Sequence, residues 1–212
     1  MAAQAAVAHG TGHVTATGTT NRKLLMWIFL GSECLFFGSL IATYLIFKNN
    51  VLQYGVGPFP HTPSDVHEKG ILNIPVTSQS TFVLLMSSVT MVLAVYGAQH
   101  SLPKMMRLAL LGTMLLGLTF LFYQVYEFRS FGAEGLNLTT NLFGATFFVL
   151  TGFHGTHVFV GVLYLGSMLA ASFRRTGLGA EGGEHIEIAG LYWHFVDIVW
   201  IVIFTLVYLI PA

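Results

Sequence analysis

Apolar residues run along this chain in five long blocks, separated by polar or turn-rich stretches. A helix crossing a hydrocarbon core of about 30 Å needs about 20 apolar residues at a rise of about 1.5 Å each. The blocks predict spans over 24–47, 80–98, 108–126, 142–171 and 189–210. Strands of a membrane barrel would instead alternate apolar and polar residues over segments of about 10. The pattern therefore predicts an all-α integral membrane bundle of five transmembrane helices. It forms one domain over 22–212, preceded by a mobile tail over 1–21. The fourth block is the longest, so its helix is expected to tilt, bend or project beyond the bilayer. Gly152, Gly155, Gly161 and Gly166 offer it small surfaces for close helix approach. The stretch Lys48 to Gln79 carries Pro58, Pro60, Pro63 and Pro75 and reads as a long loop.

Composition agrees with the pattern. Of 212 residues, 54% are hydrophobic and 8% charged, whereas a water-soluble domain carries about 25% charged residues. Formal net charge is zero, which gives no reason to expect a nucleic acid partner. Arg22, Lys23, Lys104, Arg107, Arg174 and Arg175 fall on one side of a five-span bundle, and Lys48, Lys69 and Arg129 on the other. That excess predicts a cytoplasmic N-terminus and an external C-terminus. The tail, with His9 and His13, lacks the basic start and apolar core of a cleavable signal peptide. Cys34 is the single cysteine, so an intrachain disulfide is excluded.

Polar residues at membrane depth carry the functional information. Glu33 lies nine residues after Leu24, or about 14 Å along a helix. An acid at that depth costs a few kcal/mol and marks a candidate functional site. It is expected to be protonated or hydrogen-bonded, serving either proton exchange or helix packing. On the fourth span His154 and His157 share one face at spacing three. On the fifth, His194 and Asp197 repeat that spacing, while Trp193, Asp197 and Trp200 form an i, i+4, i+7 row. These four polar residues are expected to cross-link the fourth and fifth helices, and Tyr192 and Trp193 to sit in an interfacial aromatic belt. Three histidines could also ligate haem iron or copper, but one pair at spacing three is a poor metal motif. Gln124 and Glu127 close the third span, with solvent exposure expected at that external end. Glu187 is expected in the first turn of the last helix, favoured by its macrodipole and pairing with Arg174 or Arg175.

Four segments extend this reading by resemblance. Ser32-Glu33-Cys34-Leu35-Phe36-Phe37 resembles the Ser-Glu-x-x-Phe-Phe signature of subunit III of haem–copper oxidases. Gln124-x-x-Glu127-Phe128 resembles that family's Gln-x-x-Glu-aromatic helix end. Gly152-Phe153-His154-Gly155-x-His157-Val158-x-x-Gly161 and Tyr192-Trp193-His194-Phe195-Val196-Asp197-Ile198-Val199-Trp200 resemble its last two helices. Glu187 also falls where the family places an acid, whereas His185 departs from the family's usual histidine position. The fit is to the short, five-helix bacterial form of cytochrome c oxidase subunit III.

The resemblance implies a non-catalytic subunit of a proton-pumping terminal oxidase in the inner membrane of a bacterial cell. It would pack directly on subunit I, alongside subunit II and a small subunit IV, with membrane lipids around it. No cofactor is implied in this chain: haem and copper belong to the partner subunits, with bound phospholipid a further expectation. Glu33 matches the family's buried acid. Tyr192-Trp193 is closer to cytochrome c oxidases than to quinol oxidases, whose subunit III is the alternative. Two other readings are a free-standing haem protein using His154, His157 and His194, and a small transporter using Glu33 and Asp197.

Overall fold

The computed structural model describes residues 20–54, 74–133, 138, 142–173 and 182–209. Five helices cover nearly all of them: α1 (Asn21–Tyr54), α2 (Ile74–Gln99), α3 (Pro103–Ala133), α4 (Leu142–Ser172) and α5 (Gly182–Phe204), the last running into a π-helical turn at Thr205–Leu209. Each is long and apolar enough to cross a membrane. The five predicted spans are all present, and every one of the first three is longer than predicted. With 34 residues in α1 and 31 in both α3 and α4, the fourth helix is not exceptional. Helix also reaches into the predicted loop from both sides, leaving 55–73 outside the described residues together with 1–19 of the tail.

The helices extend because polar residues at their ends find partners inside the bundle. α5 begins at Gly182 rather than at 189, which places Glu184 in its first turn and Glu187 one turn later. The macrodipole argument therefore belongs to Glu184. At the other end of α5, the ammonium of Lys48 donates to the Leu206 carbonyl at 3.2 Å within the π-helical turn.

The joint between α2 and α3 is short and well specified. The Leu102 amide donates to the Gly97 carbonyl at 2.8 Å and the Ser101 amide to the Ala98 carbonyl at 3.5 Å. This is a Schellman closure, with Ser101 at the left-handed position (φ 56°) that glycine favours. Pro103 then opens α3, where its missing N–H is tolerated. A Cβ on Gly97 would stand 2.8 Å from the Met106 backbone nitrogen, so only glycine permits this close α2–α3 crossing.

α2, α3, α4 and α5 form the packed body, with α5 seated against both α2 and α4; α1 lies outside on α4 and α5. The most apolar stretch of α1 is 11% buried, against 50% for α5. Trp193 explains much of the core geometry. A Cβ on Gly117 of α3 would stand 2.6 Å from its Cη2, and one on Gly161 of α4 would stand 3.0 Å from its six-membered ring. Two glycines thus open the slot that one indole fills. Gly155 and Gly166 meet Gln124 and Met114 in the same way, whereas Gly152 faces open space.

Candidate functional site

α1 presents Glu33 and, one turn later, Phe36 and Phe37 towards α4. Glu33 Oε2 lies 3.2 Å from Nε2 of His157, with both side chains more than four-fifths buried. The contact has ion-pair distance without hydrogen-bond alignment. His157 Nδ1 is 2.8 Å from the Phe153 carbonyl. A carbonyl can only accept, so Nδ1 carries a hydrogen. Nε2 is then the ring nitrogen that faces the carboxyl of Glu33. Phe37 covers the His157 ring edge-on at 5.0 Å, and Phe36 packs edge-on to Phe153 at 5.2 Å. A cavity of about 420 Å³ opens beside the pair, lined by Met26, Phe29, Phe153, His157, Tyr164 and Tyr192 among others. Glu33 is thus an acid with one histidine partner in an aromatic surround.

His154 does something different from its neighbour at spacing three. It is fully buried, stacked on Trp200 at 4.8 Å and edge-on to Phe120 at 5.8 Å. Among the described residues neither ring nitrogen has a hydrogen-bond partner. It does join α4 to α5 as expected, but through ring stacking rather than a polar cross-link.

Asp197 was expected to find a histidine partner on its own helix or on α4; His194 of its own helix does lie within electrostatic reach, but the helix that both residues meet is α2, not α4. Ser88 of α2 donates to Asp197 Oδ2 at 2.6 Å and lies 3.3 Å from His194 Nδ1. The reason is helical phase: Asp197 shares its row with Trp193 and Trp200, and that row faces α2. The Trp193 indole N–H donates to Ser87 Oγ at 2.9 Å, and that of Trp200 to Thr81 Oγ1 at 3.0 Å. A seam of α2 hydroxyls therefore meets the two α5 indoles and one oxygen of Asp197, whose Oδ1 has no hydrogen-bond partner among the described residues. The hydroxyls went unremarked in the sequence, although Thr81 and Ser88 are seven apart, the spacing that returns to one helix face. Tyr192 and Trp193 are buried in the bundle rather than lying in an exposed belt.

Gln124 and Glu127 are not solvent-exposed; both are buried at the helix end. The Gln124 amide donates to the Thr151 carbonyl at 2.6 Å, and its oxygen fills the space over Gly155. Thr77 Oγ1 donates to Glu127 Oε1. Spacing three on an apolar helix could not reveal that the partners would come from α4 and α2.

The opposite end holds a cluster of charged groups from α1 and α5. Lys23 pairs with Glu187 at 2.9 Å, Arg22 lies 3.2 Å from His185 Nε2, and Thr20 donates to Glu184. All three contacts join α1 to the start of α5. Arg107 of α3 donates to the Ser172 carbonyl at the end of α4 and lies over the Phe173 ring. Arg174 and Arg175, expected partners of Glu187, lie outside the described residues.

The three candidate haem ligands have separate neighbours: Trp200 for His154, Glu33 for His157 and Ser88 for His194. Among the described residues no three of His, Cys, Asp or Glu converge as a metal-binding group.

Comparison with known proteins adds the family. The model of the cytochrome c oxidase subunit III family matches residues 3–211. Cytochrome c oxidase subunit 3 of Bacillus sp. (strain PS3) is 38% identical over 189 residues, covering 89% of this chain and 86% of that protein. A probable quinol oxidase subunit 3 of Staphylococcus epidermidis (strain RP62A) is 38% identical over 188 residues, covering 89% and 88%. Its counterpart in Staphylococcus saprophyticus is 37% identical over the same length and shares.

Proposed function

Because the chain belongs to the cytochrome c oxidase subunit III family, we propose that it is a non-catalytic helper that supports proton uptake and stable turnover in its oxidase. It is a multi-pass membrane protein and works within an oxidase complex with partner subunits. The direct neighbour in this reading is the haem-bearing subunit I, with subunit II and a small subunit IV beyond. Haem and copper sit in those partners, and the membrane is that of a bacterial cell.

One observation carries the proposal: Glu33 in the α1–α4 contact, 3.2 Å from His157. An acid held in an apolar bundle with one basic partner is suited to take and return a proton. Its conversion to a fixed ion pair far from water would be costly without further hydrogen bonds. The arrangement of ends supports a cytoplasmic N-terminus. Arg22, Lys23 and Arg107 gather with the starts of α1, α3 and α5 at one end, while Lys48 and Arg129 belong to the other. An excess of basic residues marks the cytoplasmic side.

Removing this chain from the purified oxidase tests the reading. The haem spectrum should be unchanged and the initial oxygen-reduction rate largely retained, while proton uptake slows and the enzyme inactivates after fewer turnovers. Loss of the haem spectrum with the chain would show that a redox centre depends on it. Cytochrome c is the proposed electron donor, on the resemblance at Tyr192-Trp193. Relatives named for both oxidase types match at 38% identity, so the donor is assigned by assay. Faster oxygen uptake with reduced cytochrome c than with a quinol supports it; the reverse order assigns the quinol type.

A further inference from the structure

The Glu33–His157 pair is braced from a third helix. Tyr192 of α5 donates its hydroxyl to the His157 carbonyl at 3.0 Å. That carbonyl also belongs to the α4 ladder, so the tyrosine bond is additional to the helical one. The Tyr192 ring lies on Gly161, one turn beyond His157, where a Cβ would stand 3.1 Å from Cε1. Its other side stacks on Phe29, one turn before Glu33, with centroids 6.3 Å apart. A single side chain therefore touches α1 just before the acid and α4 at and just after the histidine.

We propose that Tyr192 is a positioning residue for the Glu33–His157 pair, its ring setting the α1–α4 separation and its hydroxyl fixing the backbone that carries His157. The inference rests on the proton-support reading of Glu33. Its physical basis is that the Glu33–His157 contact is close but unaligned, and hydrogen bonds weaken steeply as geometry departs further from linear. In an apolar surround the interaction between the two groups is also poorly screened. Small displacements of α4 against α1 therefore change how the proton divides between carboxyl and imidazole. Among the described residues the titratable groups around the pair are these. α1 supplies Glu33, α4 supplies His157, the cavity-lining Tyr164 and His154, which stacks on Trp200 but lies within electrostatic reach of His157, and α5 supplies Tyr192.

Infrared spectroscopy of the intact oxidase tests this, reading the pH midpoint of the Glu33 carboxyl band, which is identified by its loss in Glu33→Gln. His157→Gln defines the direction in which the midpoint moves when the partner is lost. Tyr192→Phe keeps the ring and removes only the hydroxyl, so it should move the midpoint in that same direction in a fully assembled complex. Trp193→Phe removes a different α5 hydrogen bond, the one to Ser87, and should leave the midpoint unchanged. A wild-type midpoint in Tyr192→Phe, or an equal shift in Trp193→Phe, would overturn the assignment. If Tyr192→Phe shifts the band while Glu33→Gln leaves turnover untouched, positioning stands and the proton-support reading fails.

Discussion

At the scale of single residues, glycine and hydroxyl side chains decide where the large groups go. Trp193 fits because Gly117 and Gly161 leave it a slot. Gly117→Ala would place a methyl 2.6 Å from Cη2 of a fully buried indole, a strain of about 1–3 kcal/mol for overpacking. It should lower the thermal midpoint of the detergent-solubilised protein, whereas Gly31→Ala, with no atom within 4 Å of the new methyl, should leave it unchanged. Ser88→Ala removes the donor to Asp197 and leaves a buried carboxyl oxygen without it. The expected loss is about 1–2 kcal/mol, in the range of membrane hydrogen bonds, read as weakened retention of the subunit in detergent. Ser88→Thr should restore it. Much of this site was legible residue by residue: Glu33 was marked by its depth, and Asp197 by its need for a partner. The partners themselves were not legible. Serine and threonine are common in membrane helices and bond their own ladder, as Ser80 and Thr113 do, so nothing local distinguishes Ser88 as the one that reaches across.

At the scale of elements, α1 differs from the other four helices. Little of it is buried, and it is tied to the bundle at three levels. Lys23 and Glu187 hold its start, Glu33 and His157 its middle, and Lys48 with the Leu206 carbonyl its far end. The Lys23–Glu187 pair is partly exposed, and such pairs contribute little to stability. Its effect should be local. Lys23→Glu should speed amide hydrogen exchange in the first turns of α1 and α5 with little change in thermal midpoint, and the swap Lys23→Glu with Glu187→Lys should reverse it. Equal exchange in all variants would show the pair to be incidental. The spans were legible because each is a continuous apolar run of sufficient length. Their ends were not, since Lys48, Gln124 and Glu127 look like interface residues in sequence. In the fold they turn inward, where a carbonyl of the π-helical turn and hydroxyls or carbonyls of neighbouring helices receive them.

At the scale of the whole molecule, the outer face is largely apolar along the spans, with Leu35, Phe122 and Leu108 each more than 70% exposed, and the exposed Ser32, Ser39 and Thr43 turn their hydroxyls to their own helix, as befits lipid and partner subunits. The family resemblance lay in four motifs, and the fold gives each a place. The Ser-Glu-x-x-Phe-Phe and Gly-Phe-His-Gly-x-His segments meet at Glu33–His157, the final-helix segment braces them through Tyr192, and the Gln-x-x-Glu segment meets the same α4 segment at Gly155 through Gln124 and reaches α2 through Glu127. The motifs thus pack on one another, with the α4 segment touching each of the other three. The Glu33–His157 contact is where the proposed role resides. Replacing Glu33 by Gln in the assembled oxidase, and following oxygen-reduction rate, proton uptake and the number of turnovers before inactivation across pH, tests that role most directly. The complex should assemble with an unchanged haem spectrum, take up protons more slowly and inactivate sooner than wild type. Wild-type rates and lifetimes at every pH would contradict it and leave Glu33 as a packing residue.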